Sequence, residues 1–247
     1  MTMRYAILCL LLWALLAPPP ALAQQSLRIG VPCYKAEQCK PAELMAILSE
    51  ACTRANVSST FVIYPMLRDL EEANNGNLDA SGARSAEAIR GYPNLVQVPV
   101  PIARMSIVFF SKEYRKLKPS WDSLAGLRVG VMRGQNTVSV LAGEAGVPFR
   151  SFSDPAKAFQ LLEQDRLDAI IMPRSIGLSI VRDLGLQDIL ASPPIATRDI
   201  YLSLHRKHAD LVPLFSNVLR SMHRDGSMKR LAGQFADMVP DELSEPE

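Results

Sequence analysis

Short apolar runs of strand length alternate along this chain with stretches whose apolar positions recur every three or four residues. In the first half, Leu27 to Val31 predicts a buried strand. Pro41 to Ala55 predicts a helix with Leu44, Ile47, Leu48, Ala51 and Cys52 on one face and Pro41 at its N-terminus. Thr60 to Tyr64 predicts a second strand, and Leu67 to Asn74 a short helix that Asn75-Gly76-Asn77 stops. Leu78 to Ser81 opens a third strand. Leu95 to Pro101 is extended, with prolines that suit an edge or crossing segment.

The alternation then starts again. Ser106 to Phe110, Arg128 to Met132, Phe149 to Phe152, Leu167 to Met172 and Ile200 to Leu204 predict strands. Between them fall a short helix from Ser120 and longer ones over Thr137 to Gly143, Ala156 to Gln164 and Ser175 to Asp183. Asp154-Pro155 is a cap followed by a proline at the first helical position. Two helices, Asp210 to His223 and Ser227 to Phe235, close the pattern. Strands alternating with helices mean βαβ units and mainly parallel sheets. Two such series joined by a proline-bearing crossing segment imply two lobes, with a small molecule bound between them near helix N-termini.

The N-terminus changes the picture by assigning a compartment. Arg4, the apolar run Tyr5 to Ala17, the break Pro18 to Pro20 and the small residues of Ala21-Leu22-Ala23 have the order of a secretory signal peptide over residues 1–23. The expected destination is the periplasm. Cysteine use fits an oxidising compartment: Cys33 and Cys39 are the preferred disulfide pair over three reduced thiols, and Cys52 reads as a buried thiol. The charge is nearly balanced, 27 basic against 25 acidic residues, which argues against a nucleic-acid partner. No histidine lies near the cysteines, so no zinc site is expected, and nothing in the chain calls for a cofactor. The Gly-x-Ser-x-Gly and His-Glu-x-x-His patterns are absent, so no catalytic residues are assigned and no enzyme is expected.

Four passages, in this order, carry a family resemblance: LRIGVPCY, NGNLDASGAR, LAGLRVGVMRGQNT and the closing YLSLHRKHADLVPLFSNVLRSMHRDGSMKRLAGQF. The sequence resembles the type 2 periplasmic solute-binding proteins, in particular their polar amino-acid-binding branch, over nearly the whole chain past residue 23. The resemblance implies an α/β fold of two lobes with helices on both sheet faces and a hinge between. Lobe one would comprise residues 24–103 and 197–247, and lobe two residues 104–196. The crossing segments would lie near Ala103 to Met105 and Ala196 to Asp199, and ligand binding would close the lobes.

By the same resemblance, Tyr34 stands where an aromatic often faces the ligand. An arginine beyond the Asp79-Ala80 strand would grip a carboxylate by charge-assisted hydrogen bonds. Arg84 is preferred for that role over Arg90; either could equally be a surface residue. Amino-acid binders place an acidic residue after the lobe-two strand to hold the ammonium, but that position here is Pro173, followed by Arg174. Burying an ammonium without a carboxylate is costly, so an anion or carboxylate is the expected ligand. Gln135 and Asn136, with Thr137, stand at a helix N-terminus that favours an anion, or simply cap it. Arg68 pairs more naturally with Glu71 or Glu72 on its own helix than with a ligand. The expectation is a monomeric, soluble periplasmic protein that captures a small anionic organic solute for an ABC-type uptake system. Docking on a membrane receptor, permease or redox partner as a sensor or accessory protein is the alternative, and a cleft enzyme a distant third.

Overall fold

The computed structural model describes residues 25–34 and 41–241. The stretch read as a signal peptide, and Cys39, lie outside the described residues. In chain order the first elements are β1 (Ser26–Cys33), α1 (Ala42–Arg54), β2 (Ser58–Pro65), α2 (Met66–Asn74), β3 (Ala80–Arg84), α3 (Ala86–Ile89) and β4 (Leu95–Gln97). There follow β5 (Ala103–Ser111), β6 (Val129–Met132), α4 (Asn136–Glu144), β7 (Phe149–Phe152), α5 (Pro155–Glu163), β8 (Ala169–Pro173) and α6 (Arg174–Asp183). The chain then forms β9 (Leu190–Ala191), β10 (Ala196–His205), α7 (Val212–Arg224), α8 (Ser227–Ala232) and a 3-10 segment over Gly233–Met238.

One arrangement is built twice. β2, β1 and β3 run parallel in that order, and β10 closes the row antiparallel to β3. β7, β6 and β8 repeat it, closed by β5 antiparallel to β8. The two sheets meet where β5 and β10 pair antiparallel, from Ala103 opposite Ile200 to Ile107 opposite Ala196. Here Arg104 grips Asp199 with two nitrogens, Nε to Oδ1 at 2.6 Å and Nη2 to Oδ2 at 3.1 Å. These are the segments expected to cross between lobes.

Residues of a strand alternate between faces, which puts a core on each side. In β5, Ile107 and Phe109 join Val129, Val131 and Val138, while Val108 and Phe110 join Met132, Phe152 and Phe159. In β1, Leu27 and Ile29 pack beneath α1, α7 and α8 with Leu48, Phe215 and Leu219. Gly30 points the other way, to α2. Cys52 is free and buried in the first of these cores, and burial pushes its thiol up to about 11 against a hydrogen bond with Ser59 that lowers it.

The boundaries of β3 matter for function. The pattern LDASGAR predicts a strand from Leu78, but pairing with β1 begins at Ala80 and the strand ends on Arg84. Asp79 is spent on a turn instead, accepting from the Arg28 amide at 2.8 Å, Lys207 Nζ at 2.7 Å and His208 Nε2 at 2.8 Å. His208 is thus half-buried against a carboxylate. Two further elements were not expected from the pattern: α3, four residues capped by Ser85, and β9, two residues beside β5.

Candidate functional site

A cavity of about 290 Å³ lies between the two sheets. Its walls come from the end of β1 (Pro32), α1 (Glu43, Leu44, Ile47), the end of β3 (Ala83, Arg84, Ser85), the start of α4 (Gln135, Asn136, Thr137) and the start of α6 (Ser175, Ile176). Pro173 completes the wall ahead of α6. The C-terminal segment closes one side with Phe235, Met238 and Val239. Most of these groups are apolar, with a few converging polar ones, the composition of a small-molecule site.

Arg84 is 2 % exposed and most of its hydrogen-bonding capacity is used inside the protein. Nε donates to Ser81 Oγ at 2.8 Å, and Nη2 to the Met66 carbonyl at 2.9 Å and to Asp69 Oδ2 at 2.5 Å. Among the described residues Nη1 has no partner, and Arg84 lines the cavity. Asp69 is fully buried, and its Oδ2 also accepts from Ser81 Oγ.

Opposite Arg84, α4 begins at the cavity wall. Gly134, at φ +86°, makes the turn ahead of it; a Cβ there would come 3.1 Å from Met66 Cβ. No side chain caps the helix, so its first-turn amides remain available and its dipole favours negative charge.

The two halves are latched together around the cavity. Gln135, 3 % exposed, donates through Nε2 to the Tyr34 hydroxyl and reaches Met66 Sδ at 3.7 Å. Ser85 Oγ and Thr137 Oγ1 are hydrogen-bonded at 2.9 Å, and Arg90 Nη1 meets Glu144 Oε1 at 2.6 Å on the surface. Tyr34, carried on the chain of the first sheet, packs against the core of the second. Burial pushes its phenol well above the ordinary value, against the Gln135 hydrogen bond that lowers it. Beside the latch, Glu87 on α3 pairs with Arg198 of β10 at 2.5 Å. Burial opposes Glu87's ionisation, but hydrogen bonds from its own backbone, Ser85 and Arg198 outweigh it and hold the carboxyl below the usual range.

The structure therefore brings Arg84, Gln135 and Asn136 to one cavity, whereas Tyr34, hydrogen-bonded to Gln135, is outside its lining. It does not bring Arg174. That residue opens α6 with its backbone beside Pro173, but its side chain is exposed and donates to the Ser192 carbonyl at 3.1 Å, outside the lining. The expected second cation is thus absent from the wall, because the first residue of α6 turns toward the Ser192 loop. Arg90 is at the surface with Glu144, and Arg68 pairs with Glu72 at 3.5 Å and covers the Tyr64 ring at 4.9 Å. Sequence reasoning missed Glu43 and the Phe235–Met238–Val239 wall. Both reach the cavity only through the docking of α1 and the C-terminal segment on the cleft, and the apolar spacing of Phe235, Met238 and Val239 was the available signal.

The same strand arrangement in two halves, with a cavity between, is the architecture of the two-lobed periplasmic solute-binding proteins. The comparisons agree. A histidine kinase sensor domain with similarity to periplasmic binding proteins superposes with a TM-score of 0.74 at 14% identity, covering 88% of this chain and 99% of that one. An ancestral arginine-binding protein bound to glutamine gives a TM-score of 0.69 at 18% identity, covering 86% and 98%. In sequence, the chain is 26% identical over 112 residues to an L-cystine-binding protein of Escherichia coli. That match spans 45% of this chain and 42% of the relative's length. No family model matches the chain. The protein has the type 2 solute-binding fold, and no helix among the described residues is long and apolar enough to cross a membrane.

Proposed function

We propose that this protein is a periplasmic solute-binding protein that captures a small organic solute bearing a carboxylate in the interlobe cavity and presents it to an ABC-type uptake system, without transforming it. The observation that carries the reading is the pairing of Arg84 Nη1, without a partner among the described residues, with the uncapped N-terminus of α4 in one largely apolar cavity. Both present N–H donors to an acceptor oxygen such as a carboxylate's, and the walls suit an apolar body. Residues 1–23 act as the export signal, Cys33, which is not a free thiol, is bridged to Cys39, and the chain works as a monomer. Residues 24–103 with 197–247 form one lobe and 104–196 the other.

Glu43 favours a second reading of the ligand. It lines the same cavity from α1, its Oε1 accepting from Gln234 at 3.0 Å. A carboxylate there supplies a partner for an ammonium group that the Pro173 position lacks, so a zwitterion fits the cavity as well. The matched L-cystine-binding and arginine-binding proteins point the same way. Likeness to a sensor domain supports docking of the closed form on a membrane receptor as the alternative to uptake.

Thermal unfolding of the protein against organic acids, their amides and amino acids tests the reading. A ligand at 100 times its Kd adds about 2.7 kcal/mol, and at about 2–4 °C per kcal/mol for a chain of this size the midpoint rises by about 5–11 °C. A shift with the monocarboxylates and not with amino acids supports the first ligand, and a shift with amino acids alone the zwitterion. No shift with any compound refutes solute capture. Pull-down of a permease or of a receptor kinase by the ligand-loaded form separates uptake from sensing.

A further inference from the structure

We propose that Asp69 sets the charge preference of the cavity. It holds Arg84 as a neutral pair, so that the site selects a hydrogen-bond-accepting head group, carboxylate or uncharged amide alike, rather than a net negative charge. This rests on the reading of the cavity as the ligand site.

Asp69 is in the first part of α2, a helix whose other charged residues are Arg68 and Glu71, both exposed, and Glu72, which pairs with Arg68. Asp69 is turned the opposite way, onto the sheet, and is 0 % exposed. An apolar residue at this place would extend the small core of Leu70, Ala73 and Leu78 without the desolvation that a carboxylate brings. The sheet is shaped to admit the acid. Gly30 of β1 faces it, and a Cβ on Gly30 would come 2.0 Å from Asp69 Oδ1 and 2.7 Å from Leu78 Cδ1. Oδ1 has no hydrogen-bond partner among the described residues, so all the polar contacts of this carboxylate fall on Oδ2, which takes Ser81 Oγ and Arg84 Nη2. The buried acid is thus committed to the Arg84 assembly alone.

The geometry has two consequences for a ligand. A guanidinium binds a carboxylate most strongly through two parallel N–H bonds from two nitrogens. Here Nε and Nη2 are turned inward, to Ser81, Met66 and Asp69, which leaves Nη1 as the remaining nitrogen for the cavity. The ligand also meets a cation whose counter-charge already lies 2.5 Å from it on the far side. What it receives is an oriented donor with its charge largely balanced. The α4 N-terminus opposite adds a dipole and no net charge, and Glu43 on the wall carries a negative charge of its own. Asp69 does not line the cavity and acts through Arg84, so it is a positioning residue.

The test compares the whole protein with its Asp69→Asn variant by calorimetric titration. The probes are matched acids and primary amides: butyrate, isocaproate and phenylacetate with their amides. The wild type should bind each acid and its amide within about tenfold of one another, because the Arg84 charge is balanced at close range. Asp69→Asn keeps acceptor and shape but removes the counter-charge, so the acid should gain about tenfold or more over its amide. The ligand-free melting temperature should fall, while the rise on adding acid should become larger. A purely structural role for Asp69 would weaken acid and amide together, and an unchanged acid-to-amide ratio in a folded variant overturns the proposal. Should Asp69→Asn fail to fold, Ser81→Ala keeps both charges and loosens the tether. It should then weaken both probes equally, and an altered ratio counts against the proposal. Binding of no probe to the wild type removes the carboxylate reading of the cavity, and this inference with it, which separates the two failures.

Discussion

Replacing Arg84 by methionine isolates the energetics of the buried pair, and its outcome follows from the geometry. Arg84 is 2 % and Asp69 0 % exposed, and their charged atoms lie 2.5 Å apart. Methionine keeps most of the apolar stem but leaves Asp69 ionisable, buried and without its cation, and it strips a donor from the Met66 carbonyl. Removing one partner of a buried pair costs about 3–5 kcal/mol, chiefly because the survivor is uncompensated. At about 2–4 °C per kcal/mol, the ligand-free melting temperature should drop by about 6–20 °C. Converting both partners, Arg84→Met with Asp69→Leu, removes the stranded charge and should restore most of the loss. Arg90→Met provides the contrast. Its pair with Glu144 is 62 % and 52 % exposed, so solvent screens it and its loss should leave the melting temperature nearly unchanged. Thermal and urea unfolding at neutral pH, run as a double-mutant cycle, read all of these. A loss below about 1 kcal/mol for Arg84→Met, or a double variant no more stable than the single one, would refute the account of this pair.

Tyr34→Phe keeps the ring in the second core but leaves the buried Gln135 amide N–H without its acceptor, so stability should fall by about 1–3 kcal/mol. The raised Tyr34 phenol contributes stability that is whole below its ordinary value of 10.0 and is lost as pH rises beyond it. Alkaline unfolding should therefore be shallower in the Phe variant, and equal slopes would count against the buried hydroxyl. Gly30→Ala forces a methyl against Asp69 and Leu78 and should cost about 1–3 kcal/mol or more. Its crystal structure should show α2 displaced from β1, and a wild-type melting point would contradict the close approach. Asp225 ties the start of α8 to α1, accepting from the Ser227 amide at 2.8 Å and Arg54 Nη1 at 2.5 Å. Hydrogen bonds from Ser227 and then Arg54 hold its carboxyl well below the usual range. The stability it adds is present above the ordinary 3.8 and is lost as pH falls below it. Asp225→Asn should flatten the acid limb of the unfolding curve, and an unaltered limb would dismiss the contact.

Local chemistry was readable wherever it is local. Asp154-Pro155 announced the start of α5, and Asp154 Oδ1 does accept from the Ala156 amide at 3.0 Å. Phe149 to Phe152 was legible as β7 to the residue, and the alternation of strand with helix contained the class of fold. The sharing of β10 between two sheets was less legible. Ile200 to Leu204 showed the buried half, whereas Ala196 to Asp199 is a strand because β5 lies beside it. Pairing partners 95 positions apart, such as Arg104 and Asp199, leave no periodic trace.

The site divides in the same way. The sequence by itself determined that an arginine follows the opening of the third strand, that an amide-rich turn opens a helix after β6, and that no acid follows the β8 strand. Those facts depend on neighbours along the chain. Only the tertiary structure decided what these groups face. Arg84 and Asp69 are fifteen positions apart and become a pair because α2 packs over the gap left by Gly30. Arg174 leaves the cavity because a carbonyl of the Ser192 loop is within its reach, and Glu43 and Phe235 enter the wall because α1 and the C-terminal segment dock there. The charge of a binding site is a sum over groups that share a volume, and that volume is set by packing between elements distant in sequence.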